Sequence, residues 1–144
     1  MRKYPHHGAD AQKEILMPSV KRLQHTSVPM PPGGDDDARA FYGDLLGMRE
    51  IPKPEGLAAM TVVWFAANDD GDEVHVFQEK TMGSNSAAQH LCLEVDDIAA
   101  YQTRLNDAGY AVEIPETIYN RPRLFVRDPF ANLVELVEIR GPYT

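Results

Sequence analysis

Leu23-Gln24-His25-Thr26-Ser27-Val28 and Gln89-His90-Leu91-Cys92-Leu93-Glu94-Val95 decide the reading of this chain. Each places one histidine early in a strand-like alternation of side chains, and each precedes an acid-led helix that stops at a glycine. The sequence thus states one grammar twice, strand, helix, then further strands, with a histidine at the matching place. A third stretch, Asp128-Pro129-Phe130-Ala131-Asn132-Leu133-Val134-Glu135-Leu136, sets a carboxylate on the expected last strand. Two imidazoles and one carboxylate are a donor set for a metal ion with open positions.

Working outward from the first histidine, residues 21–30 read as a strand with Leu23, His25 and Ser27 on one face. Pro29 through Gly34 breaks it, and Asp35-Asp36-Asp37 supplies capping and dipole-favouring carboxylates. Ala38, Phe41, Tyr42, Leu45 and Leu46 fall at the spacing of an amphipathic helix, stopped by Gly47. Short strands are expected at 48–51, 60–67 and 73–78, with Asn68-Asp69-Asp70-Gly71 as a turn. Residues 80–86 read as a linker. In the second half, 88–95 is a strand, Asp96 or Asp97 caps a helix along Ile98, Tyr101, Leu105 and Ala108, and Gly109 ends it. Strands at 111–114, 123–127 and 133–139 complete the repeat.

The composition bounds the function. At 144 residues the chain has the size of one domain with a real core. A formal charge of −8 argues against nucleic-acid or anionic-membrane partners. No apolar run has membrane-spanning length, and the N-terminus lacks the apolar stretch of a signal peptide, so a cytoplasmic location is expected. Cys92 is the only cysteine, which excludes an internal disulfide or a multi-cysteine zinc site. Residues 1–20 show no clean period and read as an N-terminal extension, with His6-His7 a surface pair rather than a site.

The pieces His25-Thr26-Ser27-Val28, Ala40 through Met48, His90 through Asp97 and Asp128 through Leu136 together resemble the vicinal oxygen chelate superfamily, the glyoxalase, bleomycin-resistance, fosfomycin-resistance and extradiol-dioxygenase group. The resemblance spans about residues 21–140. It implies an α+β fold of two βαβββ modules, about 21–80 and 88–140, whose curved sheets form a cup within one domain over 21–144. It further implies His25, His90 and Glu135 as ligands of a divalent ion (Fe, Mn, Ni or Zn), a small-molecule substrate, and a homodimer. The fourth ligand position of the family falls on His75.

Each residue has a plainer reading beside the functional one. A lone strand histidine is commonly a hydrogen-bonded core residue, but the second histidine at the matching position favours ligation at His25 and His90. Glu135, flanked by Leu133 and Val137, needs a cation, an arginine or a metal to offset its desolvation. His75 is open between metal ligand, substrate contact, acid or base, and half-buried strand residue. Arg121 and Arg123 are candidates for an anionic substrate group or for ion pairs with neighbouring acids. Trp64, Phe65, Phe77, Tyr119 and Phe125 are candidates for an apolar wall, with Trp64 and Phe125 taken as substrate contacts. At Phe125 the dioxygenase and fosfomycin-modifying members carry a tyrosine; a phenyl ring cannot donate a hydrogen bond, which weighs against those reactions. The expected activity is a metal-dependent lyase, isomerase or dioxygenase acting on a small oxygen-rich metabolite. The alternative is a metal-free drug- or metabolite-binding protein.

Overall fold

The computed structural model describes residues 17–83 and 86–144. His6, His7 and most of the expected N-terminal extension lie outside the described residues, as do Ser84 and Asn85 of the expected linker; residues 17–20 carry no regular structure and are exposed. The chain is α+β, with two small mixed sheets.

The first sheet holds β1 (His25–Met30), β2 (Arg49–Glu50), β3 (Val62–Ala66) and β4 (Glu73–Gln78) in the order β1-β4-β3-β2. The second holds β5 (Leu91–Glu94), β6 (Arg123–Arg127) and β7 (Leu133–Val137) in the order β5-β7-β6. In both, the first strand runs parallel to the last, and the last runs antiparallel to its hairpin partner. The register makes the internal repeat explicit. Ser27 pairs with His75 as Cys92 pairs with Glu135, and Trp64 stands across from His75 as Phe125 stands across from Glu135.

The helix after β1 starts as α1 (Asp35–Ala38) and widens into π-helical turns over Arg39–Leu45, with the Leu46 amide donating to the Phe41 carbonyl at 2.9 Å. Asp35, Asp36 and Asp37 lie inside its first turn, and Gly34 takes the cap position without a side-chain hydrogen bond, so the acids act through the dipole and not as the cap. Gly47 ends the helix at φ 83°, the left-handed conformation that favours glycine. Helix α2 (Ile98–Asp107) is capped by Asp97, whose carboxylate accepts from the Ala100 amide at 3.0 Å.

Several expected strands are shorter than the sequence suggests, among them β5, which begins at Leu91 and leaves His90 just before it. β1 begins at His25, and Leu23 before it is 90% exposed. Residues 111–114 do not form a strand, only a bridge between Glu113 and Phe125. The two residues exchange both amide hydrogen bonds, at 2.9 and 2.8 Å, but the next donor in that register would be Pro115, which has no N–H. The second sheet therefore has three strands where the first has four.

Alternation along the strands sends one side-chain set inward. Val28, Met30, Val63, Phe65, Val74 and Val76 of the first sheet meet Leu124, Val126, Val134 and Leu136 of the second in one core with Phe41, Tyr42, Ile98 and Leu105 from the helices. Each such fully buried aliphatic or aromatic side chain contributes about 1.5–3 kcal/mol. Phe65, counted among the candidates for a substrate wall, belongs to this core. The opposite faces of the sheets carry His25, Trp64, Glu73, His75 and Phe77 on one side and Cys92, Arg123, Phe125 and Glu135 on the other, by the same alternation.

Candidate functional site

The two sheet faces turned away from the core each gather a cluster of chemically active side chains. On the first, three rings stack: Trp64 lies 3.4 Å from His75 and His75 lies 4.3 Å from His25, centroid to centroid, with interplanar angles of 26° and 24°. Phe77 closes the edge of His75 at 6.2 Å. His75 is 2% exposed, and its Nε2 meets Glu73 Oε2 at 2.7 Å while the Trp64 indole donates to the same oxygen at 2.9 Å. Burial lowers the His75 pKa, partly countered by the Glu73 hydrogen bond. The same hydrogen bond, with that from Trp64, holds Glu73 below the usual glutamate range.

His25 is exposed at the outer end of this stack. Its Nδ1 lies 2.6 Å from Gln24 Oε1, and the Gln24 amide nitrogen is directed at the Gly71 carbonyl at 3.5 Å, which fixes the orientation of the amide. The tautomer that suits this contact protonates Nδ1 and leaves the Nε2 lone pair for a ligand.

On the second face, His90 Nε2 lies 2.7 Å from Glu135 Oε2. The other ring nitrogen, Nδ1, lies 2.7 Å from the Ala88 carbonyl oxygen. A neutral imidazole has one N–H, yet both nitrogens face acceptors. With Nδ1–H donating to the carbonyl, Nε2 and the Glu135 carboxylate both keep lone pairs that a shared ligand could use. This donor set suits a divalent ion. Glu135 is 7% exposed, so its charge cannot be left to water. Its second oxygen, Oε1, accepts from Arg123 Nη1 at 3.2 Å. Phe125 packs edge-on against His90 at 5.1 Å and lies beneath the Arg123 guanidinium at 5.6 Å.

Cys92 borders the same carboxylate; burial and the Glu135 charge push its thiol up to about 11, which leaves it protonated and unreactive near neutrality. Arg121 is engaged elsewhere, donating to the Asn120 and Gly141 carbonyls and lying over the Tyr143 ring. The expected ligands thus fall into two groups. His90 and Glu135 touch, and His25 sits against His75 on the other sheet. Among the described residues no three metal-ligating side chains converge. Both His25 and His90 border a cleft of about 930 Å³ that runs between the start of β1 and strand β5.

Glu73 and Gln24, which orient the two first-sheet histidines, were not singled out from the sequence. The signal was present for Glu73: it stands two positions before His75, and period-2 alternation puts both on one face.

A profile of the glyoxalase/bleomycin resistance protein/dioxygenase superfamily matches residues 22–136. The chain belongs to that superfamily. A glyoxalase family protein from Bacillus anthracis is 30% identical, with 87% of this chain and 100% of that one aligned at a TM-score of 0.78. The antibiotic binding protein TnmS3 from Streptomyces shares the fold at 21% identity, TM-score 0.67, over 85% of this chain and 99% of its own. Lactoylglutathione lyase from Agrobacterium tumefaciens does so at 22% identity, TM-score 0.61, over 83% and 94%. A search of curated protein sequences finds no match. No helix among the described residues is long and apolar enough to cross a membrane.

Proposed function

We propose that this superfamily member is a metal-dependent enzyme acting on a small oxygen-rich metabolite, its divalent ion held by His90, Glu135 and His25. The observation that supports this reading is the pairing of His90 Nε2 with Glu135 Oε2 at 2.7 Å, beside Nδ1 facing the Ala88 carbonyl, which offers a divalent ion an imidazole and a carboxylate donor. In the tautomer that donates from Nδ1 to Gln24, His25 adds its Nε2 as a further donor. A divalent ion there, iron, manganese, nickel or zinc by its donors, supplies Lewis acidity toward neighbouring substrate oxygens.

The chain's own residues then have separable tasks. His75, whose burial favours the neutral ring and whose Nε2 is paired with Glu73, is the acid–base candidate of the first sheet. Trp64 and Phe125 wall the two ligand clusters with apolar surface, and Phe125 donates no hydrogen bond to substrate. The homodimer is part of the proposal. In it, two copies would meet with the His25 face of one against the His90–Glu135 face of its partner, both faces lying on the sides of the sheets turned away from the core.

Metal content of freshly purified, untagged protein is the first test, and bound divalent metal is the expected result. His25→Ala and Glu135→Ala each lose it. Co-expression of the two variants restores part of the stoichiometry through hybrid dimers; unchanged metal in the double variant sinks the reading, and no recovery in the hybrid removes the shared site. The Arg123–Glu135 ion pair favours a second reading, a metal-free protein that sequesters a drug or metabolite, because the buried carboxylate already has a counter-charge. Metal-free protein whose melting temperature rises with a large cationic ligand is its signature.

A further inference from the structure

Glu135 divides its two oxygens between two partners, and the division has a physical consequence for any ion bound there. Oε2 faces His90 at 2.7 Å, and Oε1 is taken by Arg123 Nη1 at 3.2 Å. Arginine does not deprotonate in proteins, so the charge beside Glu135 is permanent. The guanidinium is held in place from several sides: Nη2 donates to the Glu116 carbonyl at 3.3 Å, and the ring of Phe125 lies beneath it. Among the described residues its buried Nε has no hydrogen-bond partner. A buried donor left unpaired is costly, so the ion pair with Glu135 offsets part of the cost of holding the guanidinium here. At the matching position of the first sheet stands Val62, across from Phe77 as Arg123 is across from Val137. The cation is thus peculiar to the half of the repeat that carries the carboxylate.

We propose that Arg123 is a built-in competitor for the metal-binding carboxylate: it neutralises Glu135 when no ion is bound, reserves Oε1, and so sets the affinity of the site for a divalent cation. The inference rests on the metal reading above. Two positive charges sharing one buried carboxylate oppose each other, and removing the fixed one strengthens the hold on the exchangeable one. Arg123 is therefore a positioning residue that tunes occupancy, with no contact to substrate required.

Titration of metal-free protein with Mn²⁺, followed by calorimetry and by the electron paramagnetic resonance signal of free Mn²⁺, tests this. Arg123→Met is expected to bind Mn²⁺ at least about tenfold more tightly than wild type. Arg123→Lys, which keeps the charge, stays close to wild type. Metal-free Arg123→Met melts at a lower temperature than wild type, and saturating Mn²⁺ restores more of its stability than it adds to wild type. If that variant does not fold, Arg123→Gln keeps a donor to Oε1 without the charge and carries the same expected sign. Equal or weaker binding by the uncharged variants overturns the inference, and so does equal tightening by the lysine variant. Binding by Arg123→Met with none by wild type upholds the competition and defeats the enzyme reading. Absence of Mn²⁺ binding throughout defeats both.

Discussion

The hairpin turns that lead into β4 and β7 are built alike from different residues. In the first sheet Asn68 Oδ1 accepts from the Asp70 and Asp72 amides at 2.9 and 3.2 Å, and Gly71 takes φ 87°. In the second, Asp128 Oδ1 accepts from the Phe130 and Asn132 amides at 2.9 and 2.8 Å, and Ala131 takes φ 67°. Each turn is closed by one amide-to-carboxylate hydrogen bond of 2.8 Å, Asn68 to Asp72 in one and Asn132 to Asp128 in the other. The donor and acceptor have traded ends. What the repeat keeps is the pattern of satisfied backbone amides, and the chemistry of the side chains is free to drift. The same lesson holds one strand later, where matched positions carry His75, satisfied by Glu73 and two stacked rings, and Glu135, satisfied by His90 and Arg123.

The turns differ most in burial, and that sets the largest expected effect. Asp128 is 4% exposed and also accepts from the Tyr42 hydroxyl at 2.7 Å, tying the first helix to the second hairpin. Burial raises the pKa of both groups. Asn132 extends the tie by donating to the Pro29 carbonyl at 2.8 Å. Asp128→Ala leaves a buried hydroxyl and two amides without partners, and urea denaturation is expected to show a loss of about 3 kcal/mol or more. Asn68→Ala breaks the same turn contacts in an exposed hairpin, where water replaces them, and costs about 1 kcal/mol. Equal losses at the two sites would mean that turn geometry and not burial governs both.

Much of this was written in the sequence because it rests on local rules. Helix stops at Gly47 and Gly109 and the acid cap of α2 depend on residues within one turn of each other. Strand faces follow from alternation, which set Leu23, His25 and Ser27 on one face and Glu135 on a face with Leu133 and Val137. What stayed hidden is non-local. That Arg123 chooses Glu135 while Arg121 turns to the Gly141 carbonyl depends on a register no single strand encodes. The bridge at Glu113 was read as a strand because Pro115 interrupts a ladder only once its partner is known. Trp64 over His75 is likewise a cross-strand pair, visible only with β3 and β4 aligned.

Acidification separates the two halves next. His75 has a pKa below the ordinary histidine value of about 6.5, so over the window below that value the unfolded chain binds the proton and the folded one resists it. Its contribution is complete above the unfolded value and is lost as pH falls through the folded one. Glu73, with its pKa lowered from 4.5, acts in the same direction at lower pH. Asp128 acts oppositely, since its raised pKa favours the protonated folded state. Stability measured by urea between pH 7.5 and pH 5.5 should therefore fall in wild type, and the slope should flatten in His75→Gln. A slope unchanged by that substitution would place the acid sensitivity outside the first sheet.

The smallest effect is the sharpest test of the matched turns. Ala131 occupies the left-handed region that Gly71 occupies in its counterpart, so the alanine has not altered the turn but bears its strain. An L-residue there costs about 1–2 kcal/mol, while glycine gives back about 0.4–1 kcal/mol through the freedom of the unfolded chain. Ala131→Gly should accordingly stabilise the protein by about 0.5 kcal/mol, and Gly71→Ala should destabilise it by somewhat more. At Gly71 an added Cβ would also meet the Arg22 guanidinium at 3.1 Å, which must move to make room. Opposite signs from the two exchanges, read in one set of denaturation curves, are what a shared backbone requirement demands; a loss on Ala131→Gly would show that the methyl group contributes packing that outweighs its strain.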